Sequence, residues 1–201
     1  MPKQVIFDVE TKQIFSDVGS KDPGKLGVSV VSAYIREVDQ DQQELSGQMQ
    51  SFWEKDFDKL WQYFKEADRV IGFNSLHFDV PALQPYTSID LKSLAHFDIL
   101  EQIYKNFGKR VGLSTLARDS LGHTKTDQGL NAVLYWAKGD PQSLQKLQSY
   151  CEADVAITRD VYDYIVRHGE IQFRNKWNQV QKVVLDFSLK ENNDSKQIGL
   201  F

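Results

Sequence analysis

Two carboxylates, Asp8 and Glu10, interrupt the β-branched and aromatic run that begins at Val5. The run predicts a buried strand. Alternate residues of a strand share a face, so these two side chains are expected on one side, roughly 7 Å apart along the backbone. Like charges on a central strand repel each other and resist desolvation, and a divalent cation relieves both, with Mg²⁺ or Mn²⁺ favoured by hard oxygen ligands. The alternative is a strand end at which both carboxylates reach water.

Two further aspartates stand beside apolar segments. Asp79 follows the short apolar run at 69–73, which predicts a strand, and lies at a loop-to-helix junction. Open α/β sheets build their sites at such carboxyl ends of strands. Asp154 lies in a long predicted helix, one turn after Tyr150, on a face that also carries Leu147. An inward-facing aspartate without a cation is costly, so a metal ion would explain its position.

These three segments resemble the three exonuclease motifs of the DEDD group within the ribonuclease H-like superfamily. Asp8 and Glu10 match D-x-E in the form FDVET, residues 74–79 match N-x-x-x-F-D, and residues 150–154 match Y-x-x-x-D. The likeness is to the DEDDy branch, because the histidine branch needs His at the position of Ser149. The residues of the first two motifs are similar to those of the proofreading domains of family B DNA polymerases and of free-standing bacterial exonucleases.

The resemblance implies a metal-dependent 3′→5′ exonuclease that uses two divalent ions, Mg²⁺ or Mn²⁺. By this resemblance Asp8 bridges the two ions, Glu10 and Asp154 hold the first, and Asp79 serves the second through water. Tyr150 orients the attacking water, since an unperturbed phenol with a pKa of about 10 is a poor general base at neutral pH. The substrate contacts that the resemblance suggests are Thr11, Asn74 and Lys125, the last in a loop expected to face the cleft.

The expected substrate is nucleic acid with a free 3′ end, single-stranded rather than duplex because the scissile end must splay into a narrow cleft. DNA is expected in preference to RNA. The expected products are nucleoside monophosphates, and the expected setting is DNA repair or proofreading. Three alternatives remain at this point. They are a 3′→5′ exoribonuclease, an endonuclease of the same superfamily, and a nucleic-acid-binding or clamp-tethered adaptor without turnover.

Net charge does not exclude a nucleic-acid partner. The chain has 24 Lys and Arg against 28 Asp and Glu, for a net charge of −4. If four carboxylates bind metal, 28 − 4 leaves 24, which equals the basic count. The cations would then supply the positive charge that phosphate needs.

The run at 105–110 is the most basic stretch, and it includes Lys109 and Arg110 as candidate phosphate contacts. Phe107 within it is an aromatic that could stack on a base, and a solvated connection is the alternative for the whole run. Cys151 is expected to point away from the site on its helix and to belong to the core. The tryptophans, also expected in the core rather than as stacking platforms, are Trp53, Trp61, Trp136 and Trp177.

The C-terminal pentapeptide, Gln197 to Phe201, resembles the bacterial sliding-clamp binding peptide Q-L-[S/D]-L-F. Ile198 replaces the first Leu, and a glycine replaces the small polar residue. At the end of a flexible tail, predicted at 191–201, the apolar anchors including Leu200 would dock in a groove of a clamp. Tethering would favour DNA, because it raises the local concentration at primer ends. The alternative is an apolar C-terminus that folds back onto the domain.

The elements that must position these residues predict an α/β fold. We expect a ribonuclease H-like mixed sheet of about five strands with helices on both faces, and an extra C-terminal strand or hairpin. Asp98 has capping-box spacing to Glu101, which favours a helix N-cap over a metal ligand. The predicted strands are 5–11, 27–35, 45–53, 69–73, a strand end near 96–98, and 183–189; the predicted helices are 57–64, one from 80, one from 98, 113–121, 130–136 and a long one from 140 to 169.

Length and composition fit one globular domain, predicted at 1–190 of the 201 residues. A hydrophobic content of 41% argues against a disordered chain. We expect no signal peptide and no membrane span, because no apolar run approaches the required length. The single cysteine, Cys151, rules out an intrachain disulfide framework and favours a reducing cytoplasm.

Overall fold

The computed structural model describes residues 1–123 and 130–185. Strands and helices alternate after three leading strands, as the sequence predicts. The elements are β1 Lys3–Thr11, α1 Phe15–Val18, β2 Val28–Val38, β3 Glu44–Trp53, α2 Phe57–Glu66, β4 Arg69–Gly72, α3 Asp79–Leu83, β5 His96–Asp98, α4 Ile99–Phe107, α5 Leu113–Leu116, α6 Leu130–Lys138, α7 Pro141–His168, β6 Glu170–Arg174 and β7 Val180–Val184. A π-helical turn, Ala117–Leu121, continues α5, so the predicted helix at 113–121 is present with a widened second half.

Within the described residues, five strands form the main sheet in the order β3-β2-β1-β4-β5. β2 is antiparallel to both β1 and β3, whereas β4 runs parallel to β1 and β5 runs parallel to β4. The predicted mixed sheet of about five strands is therefore confirmed. Because β1 lies beside β4 and runs parallel to it, the carboxyl ends of the two strands are neighbours. The first motif lies at the end of β1, and the second follows β4.

Alternation along β1 divides its side chains between two cores. Val5, Phe7 and Val9 pack against α2, with the Phe7 and Phe64 ring centroids 5.0 Å apart. Ile6 packs on the opposite face, in the core formed with α4, α5 and α7. Helices therefore cover both faces of the sheet, as predicted. Because Asp8 and Glu10 are in phase with Ile6, their side chains point to the face that α7 covers.

The long helix α7 begins and ends where its sequence predicts. The Asp140 carboxylate accepts a hydrogen bond from the Ser143 N–H at 3.0 Å, Pro141 occupies the first turn, and Gly169 ends the helix with a φ of 69°. Both terminal nitrogens of the buried Arg36 guanidinium on β2 donate to Asp163 at 3.0 and 2.7 Å. This pair fixes the helix over the middle of the sheet.

A hairpin, β6 and β7, follows α7 and forms a second, two-stranded sheet. The prediction of a C-terminal strand or hairpin is confirmed, although β7 begins at Val180, earlier than expected, and β6 was not predicted. Residues 186–189 of the predicted strand lie outside the described residues. The expectation that Trp177 is a core residue is wrong, because the turn between the strands leaves it 66% exposed.

The other three tryptophans differ from Trp177. Trp61 is buried on α2, and Trp53 is half-buried and stacks on Trp136 with ring centroids 6.4 Å apart. Among the residues that the structure describes, no helix has both the length and the apolar character needed to cross a membrane.

Candidate active site

The first part of the candidate site is the end of β1. Asp8 and Glu10 are half-buried there, on the face of α7. The register with β2 shifts between Glu10 and Thr11, which ends the regular pairing just after the two carboxylates. Ligand atoms of Asp8, Glu10 and Cys151 all lie within 4.8 Å of one another. This spacing meets the requirement for a shared metal ion.

Asp79 brings a third carboxylate to the same strand from the start of α3. Its side chain is only 4% exposed, and its Oδ1 accepts a hydrogen bond from the Val9 N–H at 3.0 Å. Val9 lies between Asp8 and Glu10, so Asp79 is held against the D-x-E segment by a backbone contact. Burial raises the pKa of Asp79 to about 7, with the Asp98 charge adding to the effect and backbone N–H groups opposing it. A nearby cation would remove that cost of charging.

A tight loop after β4 carries Asp79 to this position. A Cβ at Gly72 would lie 2.5 Å from the Ser75 side chain, so the chain can close over the strand end only with glycine there. Asn74 adopts a φ of 64°, and its carbonyl oxygen accepts from the N–H groups of His77 and Phe78. The local chemistry of the loop therefore determines where the carboxylate lies.

Asp98 secures that loop from the neighbouring strand. As predicted, its side chain caps α4 by accepting from the Glu101 N–H at 3.1 Å. The same carboxylate also accepts from the N–H groups of Asn74 at 2.9 Å and Leu76 at 3.0 Å. Both oxygens therefore serve backbone donors, which supports the interpretation as an N-cap over that as a metal ligand. The sequence did not indicate this second role, because it depends on β4 and β5 being neighbours.

The third motif approaches from α7, on its buried face. Asp154 is 8% exposed, and Tyr150 lies one turn earlier with its hydroxyl bonded to the Asp154 carboxylate. Burial and the Asp154 charge raise the pKa of the Tyr150 phenol, and the charges of Glu10 and Asp8 add to the increase. Since both β1 carboxylates act on the phenol, the structure brings the first and third motifs together.

Cys151 corrects one prediction. The residue is fully buried, as expected of the core, but it does not point away from the site. Its Sγ lies 3.5 Å from the Asp8 backbone oxygen and 3.8 Å from Oδ2 of the same residue. Burial, followed by the Asp8 and Glu10 charges, raises the pKa of the thiol well above its usual value, so it stays protonated. Its spacing of three residues from Asp154 on a helix could have indicated this shared face.

The predicted substrate contacts lie in different places. The Thr11 hydroxyl donates to the Gln13 backbone oxygen at 2.9 Å and is buried. Arg110 donates to the Asn74 side-chain oxygen at 2.5 Å, which connects the basic stretch to the second motif. Lys109 is exposed nearby, whereas Phe107 packs on Phe173 with centroids 5.2 Å apart. The predictions for Lys125, Gln197, Ile198, Leu200 and Phe201 lie outside the described residues.

The residues present fit a divalent metal site. The Asp8 and Glu10 ligand atoms lie within 4.8 Å of each other, and the Asp79 carboxylate contacts the backbone of Val9 between them in the chain. On α7, Asp154 contacts Tyr150, whose phenol also feels the charges of Glu10 and Asp8. Carboxylate oxygens are the donors that Mg²⁺ and Mn²⁺ prefer. The Cys151 thiol lies beside these carboxylates, with its Sγ 3.8 Å from Asp8 Oδ2, so oxygens make up most of the available donors.

A sheet of this order, with carboxylates at the end of its central strand, defines the ribonuclease H-like fold. The chain belongs to the RNase H superfamily, whose family model matches residues 5–166. This assignment covers all three motifs. The superfamily and the fold support a nuclease, that is, a hydrolase of nucleic acids.

Two solved structures resemble the chain. The family B DNA polymerase from the hyperthermophilic archaeon Pyrobaculum calidifontis matches with a TM-score of 0.57 and 19% identity, over 83% of this chain and 25% of the polymerase. The zinc-bound complex of E. coli ExoI with single-stranded DNA matches with a TM-score of 0.41 and 12% identity, over 84% of this chain and 43% of that one. The chain thus spans about a quarter of the polymerase and less than half of ExoI. No curated protein sequence matches the chain.

Proposed function

We propose that the protein is a metal-dependent 3′→5′ exonuclease of the DEDDy type. It hydrolyses single-stranded nucleic acid, DNA rather than RNA, and releases nucleoside monophosphates. The observation that carries the proposal is the hydrogen bond from the Val9 N–H to Asp79, which holds a second-motif carboxylate against the backbone of the D-x-E segment. Tyr150 and Asp154 close the site from α7. The direction of attack, from the 3′ end, follows the resemblance of the three motifs.

Four carboxylates, Asp8, Glu10, Asp79 and Asp154, would hold two divalent ions, Mg²⁺ or Mn²⁺. When bound, such ions make a water nucleophilic at neutral pH and stabilise the charge on the departing 3′-oxygen. The protein contributes fixed geometry, since Asp79 is held by a backbone donor and Asp154 by a helix packed on the sheet. Rigid positioning of this kind lowers the entropic part of the barrier.

Tyr150 acts as a positioning donor in this proposal. Burial and the surrounding carboxylates raise the pKa of its phenol, so the hydroxyl keeps its proton at neutral pH. A protonated phenol donates a hydrogen bond and cannot accept the proton of the attacking water. Its role is therefore to orient the water and Asp154 rather than to serve as general base.

The proposal is tested with 5′-labelled oligonucleotides that carry either a free or a blocked 3′ end. With Mn²⁺, we expect stepwise shortening of the free-ended strand only, and no shortening in a chelator. Equal cleavage of both strands would instead identify an endonuclease, and metal-independent binding without hydrolysis would identify an adaptor. Matched DNA and RNA strands measure the preference for DNA, and a faster loss of RNA would make the enzyme an exoribonuclease.

Asp79→Asn is the sharpest variant for this assay. Its amide oxygen can still accept from the Val9 N–H, so the loop keeps its contact while the negative charge is removed. We expect a loss of metal-dependent hydrolysis with little change in melting temperature. The matched control is Asp58→Asn, an exposed residue of α2 on the opposite face of the sheet. Full activity in Asp79→Asn would overturn the assignment of this carboxylate.

Residues 1–190 are proposed to act as one exonuclease domain, with 191–201 as a tail that binds a bacterial sliding clamp. The support for the tail is its sequence alone, from Gln197 to Phe201. Deleting 197–201 should abolish co-elution with the clamp and leave hydrolysis of free oligonucleotides intact. Unchanged co-elution would exclude this partner. A cytoplasmic location and a role in DNA repair or proofreading stay predictions.

A further inference from the structure

A basic cavity of about 470 Å³ lies between the α4–α5 connection and the β6–β7 hairpin. We call it the hairpin cleft. The described residues that line it include four cations and no aspartate or glutamate, although the whole chain has a net charge of −4. The cations, contributed by two separate segments, are Lys109, Arg110, Arg174 and Lys176. Such a concentration of one sign in a concave surface attracts anions and raises their local concentration.

Ring packing and hydrogen bonds hold the walls of the hairpin cleft together. Phe107 of α4 packs edge-on against Phe173 of β6, with centroids 5.2 Å apart. The Ser120 hydroxyl donates to the Gln172 backbone oxygen at 2.6 Å, and the Arg174 N–H donates to the Asp119 carboxylate at 2.6 Å. The hairpin backbone is thus fixed to the domain. The exposed cationic side chains remain able to adjust to a ligand.

One wall of the hairpin cleft is connected to the candidate active site. Arg110 lines the cavity and donates to the Asn74 side chain at 2.5 Å. Asn74 begins the loop that ends at Asp79, and Asp98 anchors the loop through its backbone. A strand whose 3′ end reaches the carboxylates can therefore pass Arg110 into the cavity. The contact also explains why a basic residue lies beside the second motif.

An exposed aromatic completes the surface. The Trp177 indole is 66% exposed, and the ammonium of Lys176 lies 4.4 Å from the ring centroid. An indole that the fold leaves outside its core, next to cations, has the composition of a single-strand binding surface. Phosphates pair with the cations while a base stacks on the ring, and such stacking contributes about 1–3 kcal/mol per base in known complexes.

We propose that the hairpin cleft binds the backbone of single-stranded nucleic acid, away from its reacting 3′ end, with one base stacked on Trp177. The proposal rests on the proposed function, because it assigns that substrate a path. It names a polynucleotide as occupant because a repeating anion with planar bases complements both the cations and the indole. It also gives a role to the C-terminal hairpin, which adds no carboxylate to the site.

The test measures binding without turnover. A 5′-fluorescent single strand of about sixteen nucleotides, within the range of known single-strand sites, is titrated in chelator across a salt series. The variants are Arg174→Ala/Lys176→Ala and Trp177→Ala, all exposed side chains. The control is Lys59→Ala/Lys65→Ala, which also removes two positive charges, but from α2 on the other face of the sheet. Thermal melting checks that each variant is folded.

We expect about tenfold weaker binding for each hairpin variant and wild-type binding for the control. For single strands the slope of log K against log salt changes by about 0.7 per phosphate contact, so the double variant should reduce it by about 1.4. Trp177→Ala should weaken binding without changing the slope. Wild-type affinity and slope in the hairpin variants would overturn the proposal, as would equally strong competition by a polyglutamate peptide.

Failure of this inference and failure of the proposed function give different results. If the wild type hydrolyses no strand but still loses affinity on hairpin substitution, the exonuclease proposal fails and the hairpin cleft is supported. If hydrolysis from free 3′ ends is observed while the hairpin variants bind normally, the exonuclease stands and the cleft is excluded as a strand path.

Discussion

The candidate active site and the hairpin cleft differ in how the chain holds its charges. In the active site Asp79 and Asp154 are only 4% and 8% exposed, and backbone or helix packing fixes them. In the hairpin cleft the cationic side chains are exposed and make only surface contacts, such as that of Arg110 with Asn74, while the hairpin backbone beneath is fixed. The acidic region is thus rigid and costly to desolvate, whereas the basic region is adaptable and well solvated.

This difference has a physical reason. Divalent ions need oxygen ligands at defined distances, so carboxylates that hold them must be placed precisely, and the cost of burying them is offset when the ions bind. Phosphates along a flexible strand vary in position, so long cationic side chains at the surface serve them better. We therefore expect the acidic region to control chemistry and the basic region to control strand binding.

The largest expected effect separates these two roles. Asp8→Asn should reduce metal-dependent hydrolysis by about 10³-fold or more, because losing several kcal/mol of transition-state stabilisation at about 1.4 kcal/mol per decade gives that range. Binding of an oligonucleotide in chelator should stay unchanged or become tighter, because one negative charge is removed. Hydrolysis and fluorescence anisotropy measure the two quantities.

Asp8 has a suitable control in the exposed Asp58 of α2, whose change to Asn should alter neither quantity. A variant of Asp8 that bound strands poorly yet kept its hydrolysis rate would invalidate the division between chemistry and binding.

A second effect is expected at the residue that connects the two regions. Asp98→Ala should lower the free energy of unfolding by about 3 kcal/mol, because it removes an N-cap and leaves the partly buried N–H groups of Asn74 and Leu76 without this partner. It should also reduce both hydrolysis and binding, since Asn74 contacts Arg110. Urea unfolding measures the stability.

Asp140→Ala is the matched comparison, because Asp140 caps α7 by accepting from the Ser143 N–H and hydroxyl, within its own helix start. We expect a smaller loss of stability there and no change in binding. Equal losses for the two variants would show that Asp98 acts only as a cap.

A third, smaller effect is expected for Tyr150→Phe, which removes the hydroxyl that bonds to Asp154. We expect kcat to fall by about 10–30-fold through loss of positioning, with unchanged binding in chelator. Steady-state kinetics measure the change, and Tyr104→Phe, an exposed tyrosine of α4, is the control. If Tyr150→Phe lowered binding as strongly as the hairpin variants do, its placement with the chemical region would be wrong.

The smallest effect concerns the pH dependence of the fold. Burial lowers the pKa of His96, whose Nε2 lies 2.7 Å from the Leu91 backbone oxygen. As pH falls below about 6.5, the histidine of the unfolded state therefore binds a proton before that of the folded state. The His96 contribution to stability is fully present above that pH and is lost below it. Asp79, whose pKa burial raises to about 7, acts in the opposite direction over this range, so the comparison is made in the Asp79→Asn background. There, unfolding curves between pH 7 and pH 5 should show a weaker loss of stability when His96 is also changed to Gln, by less than the effect of Asp98→Ala. The matched control is His123→Gln, an exposed histidine.

Much of the fold and of the candidate site follows from local sequence. The alternation of β1 predicts that Asp8 and Glu10 share a face, capping residues predict where α4 and α7 begin, and helical spacing predicts that Tyr150 and Asp154 point together. These features depend on a few neighbouring residues and on the fixed geometry of strands and helices. The motif spacing then indicates which segments must meet.

Tertiary structure decides what depends on contacts between distant segments. Cys151 lies against Asp8 because α7 crosses β1 at that point, and Asp98 holds the Asn74 loop because β5 lies beside β4. Trp177 is exposed because the hairpin turn leaves the core. The hairpin cleft forms because the β6–β7 hairpin packs beside the segment that contains Arg110. Residue types and spacing therefore determine the candidate chemistry, whereas the packing of elements far apart in the chain determines which side chains surround it.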